Sequence, residues 1–138
     1  MINWEDYNDK TALFTLNERL VKGKCVDVYD GDTIKLVLAI PFDEDKLYKW
    51  NCRINRVDTP ELRTKNKKEK EFGYEVRNKL REKILNKILD VKCLEFDKYG
   101  RLLVELYTED QECINDWLIQ NNFAFEYHGG TKQKWFSE

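Results

Sequence analysis

Apolar and polar residues alternate along the first half of the chain in a way that predicts β-strands. Residues 24–30 and 33–40 each alternate, and Gly31 between them indicates a hairpin. After a polar loop at 41–46, a third strand is expected over about 47–57. The pattern therefore predicts three consecutive strands in the first sixty or so residues.

Farther along the chain, the apolar spacing changes to that of a helix. From 69 to 89, Lys and Glu separate apolar residues that recur every four positions, namely Phe72, Val76, Leu80, Ile84 and Ile88. This spacing predicts an amphipathic helix. Alternation returns at 90–96 and 102–107, which indicates a second hairpin, and 112–122 is typical of a shorter helix.

The predicted order of elements is three strands, a helix, two strands and a helix, which is an α+β fold. Five short strands with a helix between strands 3 and 4 are typical of a small closed β-barrel of the OB type. A length of 138 residues predicts a single domain over 1–138. We expect residues 1–20 to pack on it as an N-terminal extension, because they include Trp4, Tyr7, Leu13, Phe14 and Leu16.

Composition narrows the class of protein. Hydrophobic residues make up 41% of the chain and charged residues 36%, which suits a soluble globular protein and excludes a disordered or membrane chain. No signal peptide or transmembrane segment is recognisable. Four singly placed cysteines favour free thiols over disulfides or a zinc site, so we expect an intracellular, cytoplasmic location.

The charge is distributed unevenly. The net charge of −2 argues against tight, nonspecific binding to duplex DNA, yet residues 63–87 hold ten Lys or Arg against four Glu. A basic helix that faces a phosphate chain would explain this segment. A solvated helix face that happens to be basic would explain it equally well.

Three short segments carry the candidate chemistry, and each has a purely structural interpretation. Asp30-Gly31-Asp32-Thr33 is what a tight hairpin needs, and Lys98-Tyr99-Gly100-Arg101 fits a second hairpin tip. Between them, the segment Arg53–Glu61 could be a surface arginine followed by a turn. Arg53 and Asp58 differ by five positions, so a regular strand would point them to opposite faces. Only a bulge or a strand end would bring both to one ligand.

Taken together, the segments supply a complete set of groups for phosphodiester hydrolysis. That reaction needs a counter-charge, an activated water and donors for the charge that develops on the phosphate oxygens. Asp32 and Asp58 could bind one hard cation, and Glu61 could activate the water. Arg53 and Arg101 could bind the phosphate. The chain has one histidine, His128, so a histidine-based mechanism is poorly supplied.

In these residues the chain resembles the staphylococcal nuclease (thermonuclease) family. The family pattern of a DGDT turn, an arginine on the next strand, a VDTPE segment, a helix and a YGR hairpin is met in order between about residues 25 and 124. The resemblance implies that Asp32, Asp58 and the backbone carbonyl of Thr59 bind one calcium ion. It also implies that Glu61 is the general base and that Arg53 and Arg101 hold the scissile phosphate.

The resemblance further implies contacts with the nucleotide and a class of substrate. Lys98 and Tyr99 would lie near its terminal phosphate, and Tyr127 would contact the nucleotide. The family cuts single-stranded or unpaired DNA and RNA with low base specificity and leaves 3′-phosphates. The expectation is thus a calcium-dependent endonuclease, a metal-dependent phosphodiester hydrolase, acting as a monomer without an obligatory protein partner.

Two alternatives remain. One is a nucleic-acid-binding OB module without catalysis, which would bind strands by stacking and a basic groove. The other is a protein-interaction domain that docks a partner through the aromatic residues Trp4, Tyr7, Trp135 and Phe136.

Overall fold

The computed structural model describes residues 1–136 and contains seven strands and two α-helices. In chain order these are β1 (Leu20–Val28), β2 (Thr33–Ile40), β3 (Asp43–Ile54), β4 (Val57–Asp58), α1 (Lys67–Ile84), β5 (Ile88–Phe96), β6 (Leu102–Tyr107), α2 (Ile114–Gln120) and β7 (Phe125–Glu126). Five of the strands close a barrel in the order β1-β2-β3-β6-β5. Strands β4 and β7 form a separate two-stranded sheet.

This architecture confirms the predicted five-stranded OB-type barrel. Neighbouring strands are antiparallel except β3 and β6, which run parallel and pair Cys52 with Leu102 and Ile54 with Val104. Helix α1 connects β4 to β5, so it lies between the third and fourth barrel strands, as the sequence predicts.

The core fills the barrel and the space under α1. Alternate residues of β2 point inward, and α1 contributes an apolar stripe at helical spacing, so the buried set includes Ile34, Leu36, Leu38, Val76, Leu80 and Ile84. Burial of this stripe, rather than helix propensity, supplies most of the stability of an amphipathic helix. The core therefore fixes α1 against the barrel.

Several predicted element boundaries were wrong. Strand β1 runs from Leu20 to Val28 and not over 24–30, and β3 ends at Ile54 and not near 57. Strand β3 begins at Asp43 and not near 47, because a tight turn at Pro41-Phe42 takes the place of the expected polar loop. Helix α1 ends at Ile84 and not at 89, because Leu85 is extended and Asn86 adopts φ +63°. Asn tolerates this left-handed conformation at a helix end. Ile88 and Leu89 then belong to β5.

The residues before β1 differ in burial. Leu16 is 4% exposed, and the backbone of Glu18 donates to the carbonyl of Cys93, which attaches this part of the chain to β5. Trp4 and Leu13, by contrast, are 74% and 92% exposed. Before Leu16, the Asn3 and Asn8 side chains accept hydrogen bonds from the nearby backbone N–H groups of Glu5 and Lys10.

The aromatic residues at the other end of the described chain do fold back. The rings of Trp135 and Phe125 lie 4.1 Å apart, and Trp135 and Phe136 both pack edge-on against Phe72 of α1. Half of the aromatic set proposed for docking a partner, Trp135 and Phe136, is therefore engaged within the domain.

All four cysteines are free, and Cys25, Cys52 and Cys93 are buried in the barrel. Burial raises the pKa of the Cys25 thiol to about 11, which makes it unreactive. Within residues 1–136, both α-helices are too short or too polar to cross a membrane.

Candidate active site

The turn between β1 and β2 places Asp32 by a network of backbone hydrogen bonds. The Asp30 carboxylate accepts from the backbone N–H groups of Asp32 (3.0 Å) and Thr33 (2.8 Å). Gly31 lies directly against Thr59, since a β-carbon at this position would be 2.7 Å from the Thr59 side chain. Only glycine permits the two segments to approach this closely.

Strand β3 ends beside this turn and carries Arg53 to it. Thr33 and Arg53 are register partners, and the backbone N–H of Ile54 donates to the carbonyl of Asp32 at 2.8 Å. The Arg53 guanidinium lies 3.6 Å from Asp32 Oδ2 and donates to the carbonyl of Val57 at 2.9 Å. Its orientation is therefore fixed from two sides.

The end of strand β3 explains how Arg53 and Asp58, five positions apart, can face the same site. The chain leaves β3 at Ile54 and turns at Arg56, which has φ +69°, before Asp58 enters β4. Asp58 is 3% exposed, and its neighbour Thr59 donates from its backbone N–H to Asp32 Oδ2 at 3.5 Å. The strand end therefore brings the Asp58 segment beside Asp32, to which Arg53 also lies close.

Glu61 is held in place through its backbone. Its N–H donates to Glu69 Oε2 at 2.9 Å, while Glu69 is itself fixed at the start of α1, where its N–H donates to Asn66 Oδ1 at 3.1 Å. Gly73 brings α1 close, because a β-carbon there would lie 3.1 Å from the carbonyl oxygens of Pro60 and Glu61. The first half of α1 therefore positions the backbone around Glu61. The Glu61 side chain itself is exposed.

Arg101 follows the turn between β5 and β6, where Asp97 organises it. The Asp97 carboxylate accepts from the backbone N–H groups of Tyr99 and Arg101 at 2.9 Å each and from Arg101 Nε at 2.8 Å. A second guanidinium nitrogen lies 3.4 Å from Thr33 Oγ1. Sequence reasoning missed this role of Asp97, because an Asp in a turn gives no sign of a guanidinium partner.

Four of the predicted residues line one cleft of about 310 Å³, namely Asp32, Arg53, Glu61 and Arg101. Asp58 lines the adjoining cleft, which shares Glu61 and Lys132 with the first. The Tyr127 ring lies 6.0 Å from the Arg53 guanidinium, at the edge of this region. Lys98 and Tyr99 stand apart at the exposed hairpin tip, where Tyr99 is 71% exposed, and do not line either cleft.

Lys132 is a member of the site that sequence reasoning missed. Its ammonium nitrogen lies 3.5 Å from both Asp58 Oδ1 and Glu61 Oε1. Pairing of β7 with β4 brings the last described segment beside Asp58, and this long-range pairing leaves no local signal in the sequence. Burial alone would lower the pKa of Lys132, but the carboxylates of Asp58, Glu61 and Asp32 raise it overall.

Negative charge is concentrated at this point. Burial and the neighbouring Asp32 carboxylate raise the pKa of Asp30 to about 7. Burial is also the main cause of the raised pKa of Asp58 and outweighs the attraction of Lys132. Buried carboxylates crowded in this way are stabilised by a cation.

The donor atoms suit a hard cation with an incomplete set of protein ligands. In the described part of the chain, no group of three or more His, Cys, Asp or Glu side chains is arranged to hold a metal. Asp32 and Asp58 offer two carboxylates, and the buried Thr59 hydroxyl has no hydrogen-bond partner among residues 1–136. Calcium accepts carboxylate, carbonyl and water oxygens together, so these residues fit it if water completes the shell.

Comparison with known proteins identifies a family. The model of the family described as "Staphylococcal nuclease homologue" matches residues 51–136, which is more than half of the chain. This range includes Arg53, Asp58, Glu61 and Arg101, whereas Asp32 lies before it.

Several curated proteins are similar over most of this chain. Endonuclease Htp3 of Saprolegnia parasitica is 32% identical over 132 residues, covering 87% of this chain and 62% of its own length. An uncharacterized endonuclease of Escherichia coli is 26% identical over 107 residues, covering 78% and 61%. An uncharacterized protein of Methanocaldococcus jannaschii is 27% identical over 144 residues, covering 88% and 66%. The chain thus spans less than two thirds of each relative.

Proposed function

The chain belongs to the staphylococcal nuclease homologue family, and from this premise we propose that it is a calcium-dependent nuclease. Its substrates are single-stranded or unpaired regions of DNA or RNA, cut with low base specificity to leave 3′-phosphates. One observation carries the proposal: Asp32, Arg53, Glu61 and Arg101, which come from three separate segments, line a single cleft. Two relatives that bear the name endonuclease support the same class of reaction.

The phosphate would be held by the two arginines. The Arg53 and Arg101 guanidinium groups come from the end of β3 and the start of β6, two strands that pair in parallel, and both are kept in place by hydrogen bonds within the protein. Planar guanidinium groups bind phosphate oxygens in pairs and stabilise the added charge of the transition state. Because both are already oriented, little reorganisation is needed when the phosphate binds.

Asp32, Asp58 and the carbonyl of Thr59 would hold calcium in the proposed enzyme. The ion, when bound, supplies positive charge next to the scissile phosphate. Glu61 has an exposed carboxylate on a fixed backbone, so it is suited to orient and deprotonate an attacking water. Tyr127 lies at the edge of the cleft near Arg53 and would contact the nucleotide.

Lys98 and Tyr99 have a more distant part in the proposal. Tyr99 is flanked by the Lys98 ammonium at 5.3 Å and the Arg101 guanidinium at 5.4 Å from its ring centre. This exposed tip could reach a nucleotide only beyond the cleft, so their contribution is to binding and not to the chemical step.

The proposal is tested by cleavage of an end-labelled single-stranded oligonucleotide with calcium and with EGTA. We expect calcium-dependent cutting whose products shift in mobility after phosphatase treatment at the 3′ end. Glu61→Gln should reduce turnover at least about 100-fold, within the range lost with a general base. Glu71→Gln, an exposed glutamate on α1, is the matched control and should cut normally.

The opposite result is equally informative. If the intact protein binds the oligonucleotide in EGTA but does not cut it with calcium, the chain is the non-catalytic OB module, and the nuclease proposal is wrong.

A further inference from the structure

A second groove adjoins the proposed active cleft and is strongly basic. It has a volume of about 400 Å³ and lies between α1 and the end of β1. We call it the basic groove and define it by six of its lining residues, Tyr29, Arg63, Lys70, Tyr74, Arg77 and Arg81. Asp27 is the one acidic residue among those that line it.

Four of these residues form a continuous stripe along α1. Lys70, Tyr74, Arg77 and Arg81 are separated by four, three and four positions, which places them on one face of a helix. The neighbouring face of α1 buries Val76, Leu80 and Ile84. Four of the ten Lys and Arg residues of 63–87 thus line a groove beside the barrel, namely Arg63, Lys70, Arg77 and Arg81.

The charges along this stripe are largely available. Among residues 1–136, no carboxylate lies within salt-bridge distance of Arg63, Lys70 or Arg77. Arg77 contacts Asn78 and lies 4.6 Å over the ring of Tyr74. Arg81 differs, because both of its donating nitrogens bind the carbonyl of Val28 and tie α1 to β1.

The basic groove is continuous with the active cleft. Tyr29, Leu62 and Arg63 line both of them. The stripe from Lys70 to Arg81 is about 16 Å long at 1.5 Å per residue. That length accommodates about four nucleotides at the 3.4 Å spacing of one duplex strand, and fewer when the strand is extended.

The aromatic residues indicate which form of nucleic acid fits. Tyr29 is 47% exposed and Tyr74 is 39% exposed, so each offers a ring to the groove or its rim. Bases stack on such rings only when they are unpaired, and cationic grooves with aromatic residues are typical of single-strand binding.

We propose that the basic groove binds the single-stranded segment that flanks the scissile phosphate. Arg63, Lys70 and Arg77 contact different phosphates of this segment, and Tyr29 and Tyr74 stack on its bases. This inference rests on the proposed function, since it describes where the nucleic-acid strand runs after it leaves the proposed active cleft. It makes the groove the main determinant of affinity for long strands, and the cleft the determinant of the chemical step.

The test compares two charge-reversed variants with the same change in net charge. Lys70→Glu/Arg77→Glu alters the groove, whereas Lys68→Glu/Lys79→Glu alters two exposed lysines turned about 160° and 180° from the stripe. Binding of 4- and 16-nucleotide single strands is measured by fluorescence anisotropy in EGTA over a range of salt concentrations. Circular dichroism confirms that both variants are folded.

We expect the groove variant to bind the 16-nucleotide strand at least about tenfold more weakly than the control variant. The slope of log K against log salt should fall by about 1.4, or 0.7 for each lost phosphate contact. Tyr74→Ala should weaken the same complex by about tenfold through lost stacking. The 4-nucleotide strand also fits the groove, so the groove variant should bind it more weakly than the control variant does, with a smaller loss of affinity than for the 16-nucleotide strand.

Three results would overturn the inference. One is equal loss of affinity in the two double variants, which would indicate a general charge effect. Another is unchanged binding of the 16-nucleotide strand by the groove variant. The third is equally tight binding of a polyglutamate peptide of the same charge, which would make the groove a site for acidic chains. Because all binding is measured in EGTA, failure of the nuclease proposal leaves these outcomes unchanged and is recognised separately by absence of cutting.

Discussion

Single side chains outside the proposed catalytic set hold the catalytic groups in place. Asp97 binds Arg101 through one carboxylate oxygen and caps the turn backbone with the other. Glu69 binds the backbone N–H of Glu61. The arrangement of the cleft therefore depends on residues that a list of reacting groups would omit.

The Asp97 contacts lead to a prediction about pH. Burial tends to raise the pKa of Asp97, but the backbone N–H groups of Arg101 and Tyr99 and the Arg101 guanidinium lower it below the ordinary value. As the pH falls, Asp97 therefore takes up its proton in the unfolded state before it does so in the folded state. The stabilising contribution of the ionised Asp97 carboxylate is fully present above about pH 4. It is lost as the pH falls through the lower folded pKa.

We expect Asp97→Asn to reduce the free energy of unfolding at pH 7 by about 1 kcal/mol, the scale of weakened charge-assisted hydrogen bonds. The variant should also show a shallower loss of stability below pH 4 in urea titrations. Asp110→Asn, at an exposed aspartate, is the control and should follow the wild type. A curve for Asp97→Asn that runs parallel to the wild type at every pH would refute the assignment.

At the scale of elements, helix α1 joins the barrel to the Glu61 segment through Gly73. Replacing an interior helical glycine by alanine ordinarily stabilises a helix by up to about 1 kcal/mol. Here the new methyl group would lie 2.9 Å from Leu62 Cδ2 and 3.1 Å from two backbone carbonyl oxygens. The backbone cannot yield without moving Glu61, so the packing cost should exceed the helix gain.

Gly73→Ala should therefore destabilise the protein by about 1 to 3 kcal/mol, as overpacking does, and lower turnover. Urea unfolding measures the first effect and oligonucleotide cleavage the second. Lys79→Ala, on the exposed side of the same helix, should alter neither by much. A more stable and fully active Gly73→Ala protein would show that α1 does not constrain the Glu61 segment.

The elements also show what local sequence patterns determine. Strand β2 was predicted to the residue, because its alternate side chains are buried and its ends carry turn residues. The end of α1 was not, because Ile84 and Ile88 keep the helical spacing although the chain has already turned at Asn86. The start of β3 was missed because residues 44–49 are exposed on both faces, so their pairing with β2 leaves no apolar alternation.

The candidate site, like the elements, combines residues that local motifs predict with residues that only long-range contacts position. Motifs at strand ends predicted that Asp32, Arg53, Asp58 and Arg101 would lie near one another, and they line two adjoining clefts because local turns fix them and the barrel topology brings the turns together. Lys132 and Glu69 could not be found in this way. Their places depend on β7 pairing with β4 and on the docking of α1, which are long-range contacts.

At the scale of the whole molecule, the proposed calcium site should be coupled to folding. Asp32 and Asp58 are 7% and 3% exposed, and their charges are only partly balanced by Arg53 at 3.6 Å and Lys132 at 3.5 Å. A cation bound to the folded state alone stabilises it by about 2.7 kcal/mol at 100 times its dissociation constant. Calcium should therefore raise the urea midpoint of the intact protein, and EGTA should reverse the change.

Two variants distinguish a specific site from general ion effects. Asp58→Asn should lose the calcium-dependent shift, because it removes one of the two carboxylates that would bind the ion. Lys132→Met should bind calcium more tightly than the wild type, because the ammonium now lies where it competes for Asp58 and Glu61. Tighter binding in Lys132→Met, measured by isothermal titration, would identify Lys132 as an internal counter-ion that calcium displaces. Weaker binding would instead mean that Lys132 helps to form the site, and the competition argument would be wrong.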